Sequence, residues 1–172
     1  HIKAGHLRGG PSYAVKIADV VGTNHNDSST TPGALYYYWV RTVSTSGMIG
    51  DLSDYDSGYQ ALLPPQGILA SDGVYTNQVL LTWSAAVGAF NYEVYRGNAS
   101  LPLTLVYNTD GLEFHDLQVA EGVTYSYQIR TVRGQYASAL STANDGFVLG
   151  KPTGVNASQG TLANRVLVSW TA

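Results

Sequence analysis

Tyr36-Tyr37-Tyr38-Trp39, with Arg41 two residues on, is the stretch of this chain best suited by residue type to recognition chemistry. Side chains alternate faces along an extended strand, so Tyr37, Trp39 and Arg41 share one side and Tyr36 and Tyr38 the other. Two aromatic rings and a planar cation in a row have the composition of a contact hot spot, and such rings also stack on sugars. Three readings of the row stand open: cover by a loop or a neighbouring repeat, an interface between subunits, or a glycan surface. Asp51-Leu52-Ser53-Asp54-Tyr55-Asp56 gathers three carboxylates near a strand entry. Calcium takes six to eight oxygen ligands, and a solvated acidic loop is the expectation for so few. Nucleophile motifs such as Gly-x-Ser-x-Gly, the zinc motif His-Glu-x-x-His and a Gly-rich phosphate loop are all missing. Glu93, Glu113 and Glu121 are isolated, whereas glycoside hydrolysis needs two carboxylates about 5–9 Å apart in a cleft. The expectation is therefore no catalytic residue, no cofactor and no metal.

The elements that position these residues follow from composition and repetition. The chain has 172 residues, 44% hydrophobic and 12% charged, enough apolar material for a core. Its net charge is −3 with nine scattered basic residues, which leaves no electrostatic footprint for nucleic acid. Apolar runs reach only four or five residues, too short for membrane insertion by a helix. There is no cysteine and only three lysines, while tyrosine occurs thirteen times among many Ser and Thr. That balance leans towards an extracellular β-protein. Asn26, Asn98 and Asn156 open Asn-X-Ser sequons at a frequency chance would supply.

The chain repeats itself. Pro65-Gln66-Gly67-Ile68-Leu69-Ala70-Ser71 returns as Pro152-Thr153-Gly154-Val155-Asn156-Ala157-Ser158, and Val79-Leu80-Leu81-Thr82-Trp83 returns as Val166-Leu167-Val168-Ser169-Trp170, both 87 positions on. Asp27, Gly33, Tyr36, Tyr38, Arg41, Thr42 and Val43 match Asp116, Gly122, Tyr125, Tyr127, Arg130, Thr131 and Val132, each 89 apart. Such a period suits a small all-β domain and is too long for a solenoid unit. Local patterning agrees. Thr124 to Val132 alternates, with Tyr125, Tyr127 and Ile129 on one face, and strand-sized segments are punctuated by Gly, Asn, Asp and Pro. The acidic segment is not repeated, since Ala139, Thr142 and Asn144 stand at the matching positions.

Pro65, Val79-x-Leu81-x-Trp83, Tyr92-x-Val94 and Gly122-x-x-Tyr125-x-Tyr127-x-Ile129-Arg130-Thr131-Val132 together resemble a fibronectin type III domain. The resemblance implies tandem immunoglobulin-like sandwiches: 1–63 as a partial domain (strands C to G), 64–150 as a complete one, and 151–172 as strands A and B of a further one. It also implies that Trp83 packs in the core and that Tyr125 forms the tyrosine corner opening strand F. At the N-terminus two registers remain open, one turning Ala4 and His6 inward and the other Ile2 and Ala4. A β-sandwich beginning at His1 also resembles the copper-dependent polysaccharide monooxygenases, in which a terminal His and a second one grip copper. His6, His25 or His115 would have to be that second ligand, but His1 occupies an ordinary mid-domain position of the repeat.

Fold resemblance alone says little about function, because this sandwich hosts many roles. The repeat leads to an expectation of a non-catalytic extracellular structural or adhesive module, a segment of a surface filament, stalk or adhesin. The alternative is a carbohydrate-binding or spacer module of a secreted polysaccharide-degrading enzyme. Expected partners are adjacent repeats of the same or neighbouring chains, and glycan under the alternative. Both ends of the sequence fall at the same B–C loop of the repeat, so two arrangements are open. The chain is a segment of a longer array, or successive chains complete one another by donating Val166, Val168 and Trp170 onto Tyr36, Tyr38 and Val40.

Overall fold

The computed structural model describes residues 2–7 (backbone) and 15–171, which form fourteen strands and no helix. The strands are β1 (Ile2–Leu7), β2 (Val15–Val20), β3 (Leu35–Thr42), β4 (Asp56–Tyr59), β5 (Leu69–Ala70), β6 (Val79–Thr82), β7 (Asn91–Asn98), β8 (Leu101–Thr109), β9 (Glu113–Asp116), β10 (Thr124–Arg133), β11 (Tyr136–Ala137), β12 (Asn144–Phe147), β13 (Thr153–Ala157) and β14 (Val168–Thr171). They group into two compact units. One runs to Leu63 and takes in Ala86–Phe90 and Thr131–Ala139; the other holds Pro64–Ala85, Asn91–Arg130 and the residues from Leu140 on.

In the second unit two sheets face one another. One has the order β5-β6-β9, and the other is built on β10, which pairs with β12 and neighbours β7, itself paired with β8. Alternation explains the core. Val79 and Leu81 on β6, Tyr92 and Val94 on β7, and Tyr125, Tyr127 and Ile129 on β10 are all buried, and every residue between them is more exposed. Trp83 is buried as expected and meets Tyr92 edge to face at 5.6 Å. Gly146 packs tightly against β5 and β6: a Cβ there would stand 2.7 Å from Ala70 Cβ and 2.8 Å from Val79 Cγ1.

The same unit carries a hairpin, β13–β14, that repeats β5–β6 bond for bond. Ser71 N donates to Leu80 O at 2.9 Å, and Leu80 N donates to Ser71 Oγ at 2.9 Å. Their counterparts are Ser158 N to Leu167 O at 2.8 Å and Leu167 N to Ser158 Oγ at 2.9 Å. The register is shared as well, with Leu69 opposite Thr82 and Asn156 opposite Ser169.

The first unit has one four-stranded antiparallel sheet, in the order β2-β1-β3-β4. Ala4 pairs with Val40 and His6 with Tyr38 in the backbone register, but the side chains that would decide between the two N-terminal registers lie outside the described residues. Residues 24–27, the counterparts of β9, belong to no strand. In the second unit β9 is held by β6, and among the described residues the first unit has no strand in that role.

Candidate functional site

The tyrosine corner is built twice. Ala120 N donates to Tyr125 Oη at 3.1 Å, and Thr31 N donates to Tyr36 Oη at 2.9 Å, each bond reaching back five residues. Before each corner the chain turns at a glycine with positive φ, Gly122 at 71° and Gly33 at 70°, a conformation a Cβ would strain.

Behind the corner of the second unit lies a polar network with no reading in the sequence analysis. The Asp116 carboxylate, 2% exposed, accepts Arg96 Nη1 at 2.8 and 2.7 Å, Gln118 N at 3.0 Å and the Tyr127 hydroxyl at 3.0 Å. Arg96 also lies over the Tyr125 ring, 5.1 Å from its centroid. Burial, and then the Asp116 charge and hydrogen bond, drive the Tyr127 phenol well above its ordinary value, so it stays a donor. In the first unit the Tyr38 hydroxyl donates to Asp27 at 3.1 Å, and partial burial with that bond pushes Tyr38 up to about 12. The repeated Asp in the 89-residue match was the sequence signal for this pair.

Glu93 is not isolated. Its Oε2 accepts Arg130 Nε at 2.6 Å and the Tyr95 hydroxyl at 2.8 Å, and the guanidinium lies 5.4 Å from the Tyr95 ring centroid. Burial pushes the Glu93 carboxyl up, but the hydrogen bonds from Arg130 and Tyr95 outweigh it and hold the group below its ordinary value.

Tyr37 and Trp39 share the face opposite Tyr36 and Tyr38, as the alternation requires. Trp39 is 5% exposed, in keeping with the first of the three readings, cover by a loop. The segment after β3 turns back along it: Ser53 N donates to Val40 O at 2.8 Å and Val40 N to Ser53 Oγ at 3.2 Å. That pairing lays Tyr55 over the row, with centroids 5.6 Å from both Tyr37 and Trp39. Tyr55 is itself 62% exposed; Tyr37 and Arg41 are half-buried. Parity of one strand could not show this, because the covering ring comes from an irregular segment.

Asp51, Asp54 and Asp56 are exposed, and among the described residues no three His, Cys, Asp or Glu are gathered to hold a metal ion. His1 lies outside the described residues. The opposite face of β3 opens on a cavity of about 670 Å³ lined by Ile17, Val20, His25, Asp27, Tyr38 and Val40, among others. Val166, Val168 and Trp170 are all exposed on the hairpin.

No family model matches the chain. A two-domain segment of chicken tenascin superposes over 84% of this chain and 82% of its own, with a TM-score of 0.61 at 15% identity. This is a fibronectin type III fold. A fibronectin type III-like protein from Clostridium thermocellum aligns with 54% of this chain and 98% of its own, at 26% identity and a TM-score of 0.47. Among curated sequences an amylopullulanase from Thermoanaerobacterium saccharolyticum is 31% identical over 122 residues, 68% of this chain. The match spans 8% of that relative's length. Trp83 is buried and Tyr125 makes the corner bond, as the resemblance implied.

Proposed function

We propose that this chain is a non-catalytic structural module of an extracellular polypeptide, a stalk or spacer segment within a larger modular protein. The observation that carries the reading is the doubling of purely structural devices. Corner, glycine turn and Asp–Tyr bond recur 89 residues apart, and the hairpin recurs 87 apart. The more buried ion pairs, Arg96–Asp116 and Arg130–Glu93, join strands or corners of the sandwich. Modules that repeat a scaffold suit the separation and display of other domains.

A second reading has its own support. The curated relative is an amylopullulanase, and Tyr55, backed by Tyr37 and Trp39, presents an aromatic ring to solvent. On that reading the chain is an accessory module that stacks a glycan on Tyr55. Affinity electrophoresis through starch and pullulan, the polymers that enzyme name denotes, separates the two. Unretarded migration with no release of reducing ends fits a structural module. Retardation that Tyr55→Ala abolishes supports the accessory reading, and release of reducing ends would overturn both.

A further inference from the structure

We infer that the outer face of β3 and β4 is an extended glycan site, two tyrosine platforms that bind a run of several sugars in a neutral polysaccharide chain. The inference rests on the accessory reading, which gives Tyr55 a glycan to stack on, and adds Tyr59 as a second ring. Cross-strand partners share a face, and Tyr59 lies opposite Leu35, so it stands on the side of Tyr37 and Trp39. Both rings are held in place by others. Tyr55 packs on Tyr37 and Trp39 at 5.6 Å, and Tyr59 lies 4.1 Å from the Tyr136 ring of the same unit, tilted by 30°. Each still keeps more than half of its surface in water, 62% for Tyr55 and 51% for Tyr59. A ring fixed before its ligand arrives loses little rotamer freedom on binding.

The second unit shows that the fold does not require these rings. Its matching strands pair in the same register. Leu35 opposite Tyr59, Tyr37 opposite Ser57 and Tyr38 opposite Asp56 correspond to Thr124 opposite Phe147, Ser126 opposite Asp145 and Tyr127 opposite Asn144. Where the first unit has Tyr37, Trp39 and Tyr55, the second has Ser126, Gln128 and Ala143, and its core is buried all the same. Ser57, small and exposed, falls between Tyr55 and Tyr59 and keeps the space between the rings low and polar. At about 3.4 Å per extended residue, the two rings stand about 10–14 Å apart along the sheet. One pyranose cannot touch both. A chain of sugars can, laying an apolar C–H face on each ring and turning hydroxyls towards Ser57. A protein partner needs apolar cover at the centre of its interface, which Ser57 does not supply. Charge narrows the choice of polymer: Asp51, Asp54 and Asp56 are exposed in the same segment, so an acidic chain is repelled where a neutral one is not.

Affinity electrophoresis of the full chain tests the site, through gels of starch, pullulan, galactomannan and mixed-linkage glucan, with polygalacturonate as the acidic polymer. At least one neutral gel should retard the chain, and polygalacturonate should not. In the gel that retards it, Tyr59→Ala should weaken binding by about fivefold or more, the scale of one ring contact, while Tyr59→Phe should bind as the unaltered chain does. Ser57→Ile, which fills the space between the rings, should weaken binding likewise, and the exposure of Ser57 lets the fold tolerate the change. A hexasaccharide of the retained polymer should compete at least about tenfold better than its disaccharide, because only the longer one engages both rings at once. Retardation that Tyr55→Ala abolishes and that neither Tyr59→Ala nor Ser57→Ile weakens overturns the inference and leaves the accessory reading standing. Equal competition by the two oligosaccharides does the same. Retardation by polygalacturonate overturns the inference too, as does self-association in sedimentation that Tyr59→Ala removes, which would give the face to a second copy. No retardation in any neutral gel sinks the inference and the accessory reading together and leaves the structural-module reading standing.

Discussion

Asp116→Ala is the substitution with the largest consequence that can be worked out from a few bonds. The carboxylate accepts four hydrogen bonds, two from Arg96 and one each from Gln118 N and the Tyr127 hydroxyl. Removing one partner of a buried pair costs about 3–5 kcal/mol. Arg96 is 18% exposed at its side chain and keeps the Gln118 carbonyl at 3.0 Å, so part of its charge is still served. Tyr127 is fully buried and is left with a hydroxyl without an acceptor, a cost of about 1–3 kcal/mol by itself. The expected loss is therefore about 3 kcal/mol in the second unit. Tyr127→Phe removes the donor and leaves Asp116 its other three bonds, so about 1 kcal/mol is expected. In the double variant the orphaned hydroxyl no longer exists. Its loss should fall short of the sum by about 1–2 kcal/mol, a coupling expected of residues in one network. Urea titration followed at the Trp83 indole N–H resonance reports on this unit, since Trp83 Nε1 is buried, with no hydrogen-bond partner among the described residues. A loss under about 1 kcal/mol for Asp116→Ala, or additivity of the two single changes within about 0.5 kcal/mol, would refute the reasoning.

Trp39→Gln should destabilise the first unit by about 2–4 kcal/mol, because the ring is buried under Tyr55; a neutral result in thermal unfolding would return Trp39 to the surface. Gly146→Ala should cost about 1–3 kcal/mol through overpacking against Ala70 and Val79, and an unchanged urea midpoint would show that the sheets give way freely. Glu93 has a folded-state value below its unfolded one, so its contribution is present above the ordinary carboxylate range and is lost as pH falls through it. Glu93→Gln should therefore flatten the fall in stability below about pH 4.3, and parallel pH profiles for the two proteins would contradict the pairing. Tyr38 has the opposite sense. Its folded-state value of about 12 lies above the ordinary phenol, so its contribution is intact below about pH 10 and is lost between there and 12; Tyr38→Phe should lessen the alkaline fall of the first unit, followed by thermal unfolding, and leave that due to Tyr127 in the second.

Much of the fold was legible in the sequence because the repeat supplied its own internal control. Where Tyr36 matched Tyr125 and Asp27 matched Asp116, alternation and spacing were read twice, and the buried set Val79, Leu81, Trp83, Tyr125, Tyr127 and Ile129 follows from period-two patterning. The parts not legible depend on closure of the sandwich. Arg96 and Asp116 lie twenty residues apart and meet only when β7 and β9 are placed in facing sheets. Glu93 and Arg130 are thirty-seven apart and meet across strands β7 and β10. Cover of the row by a loop was one open reading, but the covering residue was not legible: Tyr55 belongs to a segment outside regular strand, placed by Ser53 bonds to Val40 that no periodicity announces. The candidate recognition residue of that face moved from Trp39 to Tyr55 as a result.

The central claim, that this chain is a structural module, is tested most directly by pulling a single molecule between its two ends. The sandwich that the repeat leads one to expect over residues 64–150 should resist and then open in one cooperative step. At about 3.5 Å per extended residue, that step lengthens the chain by about 250–300 Å once the folded length is subtracted. A Trp83→Ala chain should open at clearly lower force with the same increment. Extension without a discrete step, or a step whose length does not correspond to residues 64–150, would contradict the claim.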